Sequence, residues 1–138
     1  MDECLFCRIV AGAAAAHVVH EAAGAVAFLD AFPTARPHVL VVPRAHAPTL
    51  LDLDDAGITD LFRAVKIVQQ KIQSSFQPVG FNVGWNHGRA AGQHVFHLHV
   101  HVLPRYAAGG RGVQALGVGG DRMELAALAA TLRAADAG

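Results

Sequence analysis

The chain reads as an α+β domain. One long stretch with helical periodicity sits mid-chain, a second closes the chain, and short apolar runs bounded by Pro and Gly fill the remainder. The length of 138 residues suits one domain spanning 1–138, and 53% hydrophobic against 16% charged residues supplies a real core.

The mid-chain stretch follows Asp54-Asp55. Its apolar residues recur at Ile58, Leu61, Phe62, Val65, Val68, Ile72 and Phe76, which places one stripe on a single helix face. Arg63, Lys66, Gln70 and Lys71 fall off that stripe, and Pro78 and Gly80 stop the helix. The closing helix is expected over 121–134, capped by Asp121 with Glu124 three residues on, its contacts supplied by Met123, Leu125, Leu128 and Leu132.

Five runs read as strands. Residues 17–20 and 25–29 form a hairpin across Glu21-Ala22-Ala23-Gly24. Residues 38–42, between Pro37 and Pro43, are continuously apolar and so buried on both faces. Residues 81–85 follow the long helix, and 95–103 form the last strand, ended by Pro104. The six glycines within 107–120 read as loop.

Composition excludes several functions. Eleven basic and eleven acidic residues give zero formal net charge, which argues against a nucleic-acid binder or a basic membrane-surface protein. Apolar runs are too short for a membrane span, and Met1-Asp2-Glu3 is acidic where a signal peptide is basic. A cytoplasmic protein is expected. Two cysteines cannot build a disulfide scaffold.

Nine histidines stand out, five of them between His87 and His101. In His97-Leu98-His99-Val100-His101, strand alternation puts three imidazoles on one face about 6.6 Å apart, with Leu98, Val100 and Val102 facing the core. Three imidazoles on a rigid strand can bind a metal, bind an anion, or provide a nucleophile flanked by helpers. A neutral imidazole is abundant near pH 7, and a ring nitrogen held by an acceptor leaves the other free to attack. Cys4 and Cys7 form a C-x-x-C pair, which is a redox pair, two buried thiols, or half of a tetrahedral metal site.

The run from His97 to Leu103 resembles the histidine-triad (HIT) family of nucleotide hydrolases and transferases. Further likeness lies in Gly92-Gln93, Cys4-Leu5-Phe6-Cys7, Phe28-Leu29-Asp30, Pro37 through Pro43, and Asn86 with its glycine-containing loop. The resemblance covers roughly residues 4–106. It implies a HIT-like fold with a five-stranded antiparallel sheet and two helices, and a homodimer.

The resemblance also implies roles. His99 would be the nucleophile on the α-phosphorus, oriented by the main-chain carbonyl of His97, with His101 on the phosphate. Gln93 would lie near the scissile oxygen, Asn86 near the phosphate, and the backbone around Val95 would donate to it. Asp30 would bind both ribose hydroxyls, a geometry suited to a two-oxygen acceptor. Phe6, Phe28, Leu29 and Ala31 would line the base pocket. His38 would be a network histidine or a proton relay. His94 stands where relatives often carry a small hydroxyl residue, so its contact to the leaving group stays open.

His101 is glutamine in the uridylyltransferase relatives, so its presence resembles the hydrolase branches. The cysteine pair resembles phosphoramidase-type, zinc-binding relatives, and implies structural zinc on Cys4, Cys7, His46 and His97. Pro104-Arg105 is more like the dinucleoside-polyphosphate relatives, which leaves an amine, an acyl group or a second nucleotide as leaving group. The rival readings are a nucleotide-binding regulatory or scaffold protein, and a metalloenzyme with the triad as ligands.

Overall fold

The computed structural model describes residues 3–107 and 124–135. Five strands form one antiparallel sheet: β1 (Val18–Glu21), β2 (Ala25–Leu29), β3 (Val39–Pro43), β4 (Gly80–Gly84) and β5 (Val100–Arg105), in the spatial order β1-β2-β3-β5-β4. Among the described residues three α-helices accompany it, α1 (Leu5–Val10), α2 (Asp55–Phe76) and α3 (Leu125–Ala134), rather than the expected two.

The unforeseen α1 has six residues, too short to display a helical period. Its first turn is closed by the Cys4 sulfur, which accepts from the Cys7 amide at 3.4 Å. Phe6 and Ile9 are its buried residues, and they pack with Val26, Phe28, Leu40 and Val42 on the front of the sheet. Burying two such side chains contributes about 1.5–3 kcal/mol each. That contact holds the N-terminal segment against the strands.

The back of the sheet carries α2 and α3. Ala25, Ala27 and Leu29 of β2 and Val39 and Val41 of β3 point there, alternating with the front residues. Both strands are therefore buried on two faces, as the unbroken apolar run of β3 predicts. Asp54 caps α2 by accepting from the Gly57 amide at 2.7 Å, and Gln77 ends it in the left-handed region with φ 51°.

The buried face of α2 is Leu61, Ala64, Val65, Val68, Lys71 and Ile72. Lys71 reads as lying off the apolar stripe. Its ammonium instead donates to the carbonyls of Leu132 (3.2 Å) and Ala135 (3.1 Å). A cation against the carbonyls at a helix C-terminus is favourable, and the aliphatic stem lies along the core. Leu125, Leu128, Ala129 and Leu132 of α3 join the same core. Asp121, Met123 and nearly all of the 107–120 glycine loop lie outside the described residues. Glu124, expected in a capping box, pairs with Arg36 at 3.0 Å.

The last strand is displaced from its expected 95–103. It begins at Val100 and runs through Pro104 to Arg105. Beyond Val102 only β4 continues beside it, so one flank of Pro104 needs no ladder bond. Residues 95–99 approach the sheet as an irregular segment, and His97 and His99 belong to that segment.

Candidate active site and metal centre

The approach to β5 is fixed by backbone contacts. Gly92 turns the chain with φ 98°. Gln93 is buried, and its amide clamps the loop: Oε1 accepts from the Gly88 N–H at 2.8 Å, while Nε2 donates to Pro48 O (2.7 Å) and Val95 O (3.1 Å). Both Nε2 protons are thus engaged within the loop. The Leu98 N–H donates to Ala47 O at 2.8 Å and its side chain enters the back core.

The three histidines share one side of the chain, as the alternation predicts: Leu98, Val100 and Val102 enter the back core, and the His99 and His101 ring centres lie 5.2 Å apart. Only His101 lies within a strand, and each ring has its own neighbours. His97 is fully buried beside Cys4, Cys7 and His46; His99 lies edge-on to Phe6 with ring centres 5.1 Å apart; His101 sits on β5 between Leu40 and Gly84 and meets His38. Among the described residues no cluster of possible ligands contains all three, which removes the support for a triad-ligated metal.

Each ring has its tautomer set by a backbone group. His97 Nε2 lies 2.8 Å from Pro43 O, and a carbonyl only accepts, so Nε2 carries the proton and Nδ1 presents a lone pair. His99 Nδ1 lies 2.9 Å from His97 O, so Nδ1 is protonated and Nε2 carries the lone pair. The Thr34 N–H reaches His38 Nδ1 at 3.1 Å, so His38 is protonated at Nε2. That proton goes to His101 Nδ1 at 2.9 Å, which leaves the His101 proton on Nε2, free to be donated to a ligand.

Electrostatics keep the rings neutral. Burial lowers His38 to about 4, aided by the Arg105 and His99 charges. Burial, then His38 and His99, lowers His101 to about 4 against a weaker opposing pull from Asp30. Burial also lowers His99, while its bond to His97 O and the Asp30 charge pull the other way. At pH 7 the site presents one imidazole lone pair beside one imidazole N–H.

The expected pocket residues are brought together in part. Phe6 and Phe28 meet edge to face at 5.4 Å, and Val95 packs against the same front cluster. Asp30 follows β2; its Oδ1 accepts from the Phe32 N–H at 2.8 Å and its Oδ2 lies 3.6 Å from His38 Nε2. Asn86 stands against Gly92, where an added Cβ would meet its Nδ2 at 3.6 Å. Ala31 is exposed. Leu29 is not in this group: its side chain points to the back core with Val39 and Val41.

Cys4, Cys7, His46 and His97 place their ligand atoms within 4.8 Å of one another. Cys4 Sγ and Cys7 Sγ lie 3.5 Å from His97 Nδ1, and Cys7 Sγ lies 3.2 Å from His46 Nδ1. A tetrahedral ion bound at ordinary zinc–sulfur and zinc–nitrogen lengths gives an S···N edge of about 3.5 Å. The His97 tautomer is also the required one, with Nδ1 open and the other nitrogen held by a carbonyl. The donor set therefore fits zinc. Asp30, His38 and His101 form a second group within the same limit. There the Thr34 amide keeps the proton on His38 Nε2, which opposes metal binding.

Comparison with known proteins agrees with this arrangement. The HIT domain family model matches residues 11–108. The chain belongs to the HIT family. It is 38% identical over 102 residues to the adenosine 5'-monophosphoramidase hnt1 of Schizosaccharomyces pombe, covering 74% of each chain. It is 37% identical over 108 residues to Protein hit of Bacillus subtilis, covering 78% of this chain and 74% of that one. Among solved structures, a Zn-bound histidine triad family protein from Mycobacterium smegmatis superposes with a TM-score of 0.80 at 31% identity, covering 96% and 92% of the two chains.

Thr34, Lys71 and the Pro43 and Ala47 carbonyls had no signal in the sequence, because three of the four act through the backbone. Among the described residues no helix is long and apolar enough to cross a membrane.

Proposed function

We propose that the chain is a nucleotide hydrolase that cleaves at the α-phosphorus through a nucleotidyl-His99 intermediate. The observation that carries this reading is the pairing of a lone pair on His99 Nε2, held by the His97 carbonyl, with the Thr34–His38–His101 hydrogen-bond line that aims a proton outward.

In the first step His99 Nε2 forms a bond to phosphorus while the bond to the leaving group breaks, and an amine leaving group departs with a proton taken from solvent. His101 Nε2–H donates to a phosphoryl oxygen as negative charge gathers there. In the second step water adds to phosphorus, the N–P bond breaks, His99 is regenerated with its Nδ1 proton, and the proton lost by the water returns to solvent. Asp30 holds the ribose hydroxyls and Phe6 and Phe28 flank the base, with Ala31 at the rim. Asn86 and the backbone at Val95 approach the phosphate. Gln93 acts as a positioning residue, because its amide is occupied by the loop.

A zinc ion on Cys4, Cys7, His46 and His97 would tie α1 to the catalytic segment and hold the His97 ring. Its chemistry there is structural, since four protein ligands close the site. The cysteine pair and the similarity to a monophosphoramidase favour a nucleoside phosphoramidate; a dinucleoside polyphosphate is the second substrate class. The chain acts as one domain in the cytoplasm without nucleic-acid partners. We assign a homodimer to the β4 edge, where Phe81, Val83 and Trp85 are only partly buried.

Incubation with an adenosine phosphoramidate and with a dinucleoside polyphosphate tests the proposal. Release of the mononucleotide supports it. Tight nucleotide binding with no product from either substrate supports the regulatory or scaffold reading instead.

A further inference from the structure

The metal cluster is not sealed. Cys4, Cys7 and His46 are partly exposed, whereas His97 is buried. A cleft reaches the cluster from outside. It is lined by Cys4 and His46 together with Glu3, Leu5, His94 and Phe96. It therefore touches two of the four ligands, while His97 is the buried one.

Glu3 and His94 have no place in the proposed chemistry or in the four-residue cluster. Carboxylate oxygen, thiolate sulfur and imidazole nitrogen are the three donor types that bind zinc. All three line this one cleft. Among the described residues, however, the atoms of Glu3 and His94 are not grouped with the cluster, so they cannot complete a closed resting site. A donor placed near a site but outside its shell can hold an ion only in passage. Around these donors the walls are apolar, with Leu5 and Phe96 at 43% and 39% exposure, so an arriving ion has few other polar groups to meet.

The geometry points to this cleft as the entry and exit port for a divalent ion of the zinc class, with Glu3 and His94 as transient ligands. The ion exchanges waters for Glu3 and His94 at the mouth, then for Cys4 and His46, and finally for Cys7 and His97. The same steps in reverse release it. The inference rests on the reading that the four-residue cluster holds a metal.

Isotope exchange on the zinc-loaded full chain tests it. The protein is mixed with isotopically labelled zinc and followed by native mass spectrometry, so that total zinc and its turnover are read together. Glu3→Gln and His94→Ser are each expected to slow exchange by at least about threefold, since a charged, donor-lined cleft raises association rates by a factor of ten or more. Total zinc per chain stays unchanged, and His17→Ser, at an exposed residue before β1, exchanges as the parent does. Exchange in Glu3→Gln and His94→Ser at the parent rate would overturn the port while leaving the metal site standing. A parent protein that binds no zinc would overturn the metal reading and the port together.

Discussion

The His99 ring donates its Nδ1 proton to the main-chain carbonyl of His97 at 2.9 Å, two residues back along the same segment. This contact makes one nitrogen of the ring a fixed donor and the other a fixed lone pair. It also links the two centres, because the residue offering the carbonyl turns its own side chain toward Cys4 and Cys7.

Replacing His99 by alanine removes the proposed nucleophile. Turnover is expected to fall by more than about 10⁴-fold, as for loss of other covalent nucleophiles. The thermal midpoint should stay near that of the parent. Steady-state rates and a melting curve check both parts, and a variant retaining full activity would contradict the proposed role.

His38 acts through His101. In the parent, two-bond ¹H–¹⁵N spectra should find His101 protonated at Nε2. His38→Phe takes away the donor to Nδ1, so the tautomers of His101 should mix and kcat fall by about 10–100-fold, with a smaller change in KM. A His101 ring already protonated at Nδ1 in the parent would break the line drawn from Thr34.

The same pair sets an acid limit. In the folded chain His38 and His101 stay neutral down to about 4, whereas an unfolded histidine takes up its proton near 6.5. Between those values the unfolded state binds more protons, so stability is complete above about pH 6.5 and declines as pH falls toward 4. Urea unfolding at several pH values should follow this trend. The decline should be shallower in His38→Phe.

Metal content is the next check. One zinc per chain is expected, lost in Cys7→Ser and on treatment with a strong chelator. Removal should lower the thermal midpoint by roughly 5–15 °C, since a ligand bound only to the folded state adds to stability. Equal melting with and without metal would separate the cluster from the fold.

Lys71 holds α3 by its last carbonyls. Lys71→Met keeps the stem but removes the donor, at a cost of about 1–2 kcal/mol by urea unfolding. Burial, and after it the Lys71 charge, depresses His20, whose buried Nε2 has no hydrogen-bond partner. The variant should raise the His20 pKa, which NMR titration reads directly.

Much of this was legible in the residues. The His-x-His-x-His run, the C-x-x-C pair and the Asp after Phe28-Leu29 mark the two centres, and the long amphipathic period marks α2. The late start of β5 was hidden, because residues 95–99 are held by the Ala47 and Pro43 carbonyls, and backbone partners leave no trace in side-chain periodicity. Leu29 was readable but misread: adjacent residues of a strand point to opposite faces, so Phe28 and Leu29 cannot line one pocket. Lys71 shows the limit of polarity as a guide, since a buried ammonium is satisfied by a helix end about sixty residues away in sequence.

The central claim is that His99 carries the nucleotidyl group between two displacements. Rapid acid- or base-quench of the enzyme turning over an α-³²P-labelled nucleotide, followed by peptide mapping, tests it most directly. The account predicts label on His99 at Nε2, appearing and decaying at rates consistent with product formation. Label on another residue, or an unmodified His99 at every time point while product accumulates, would contradict it.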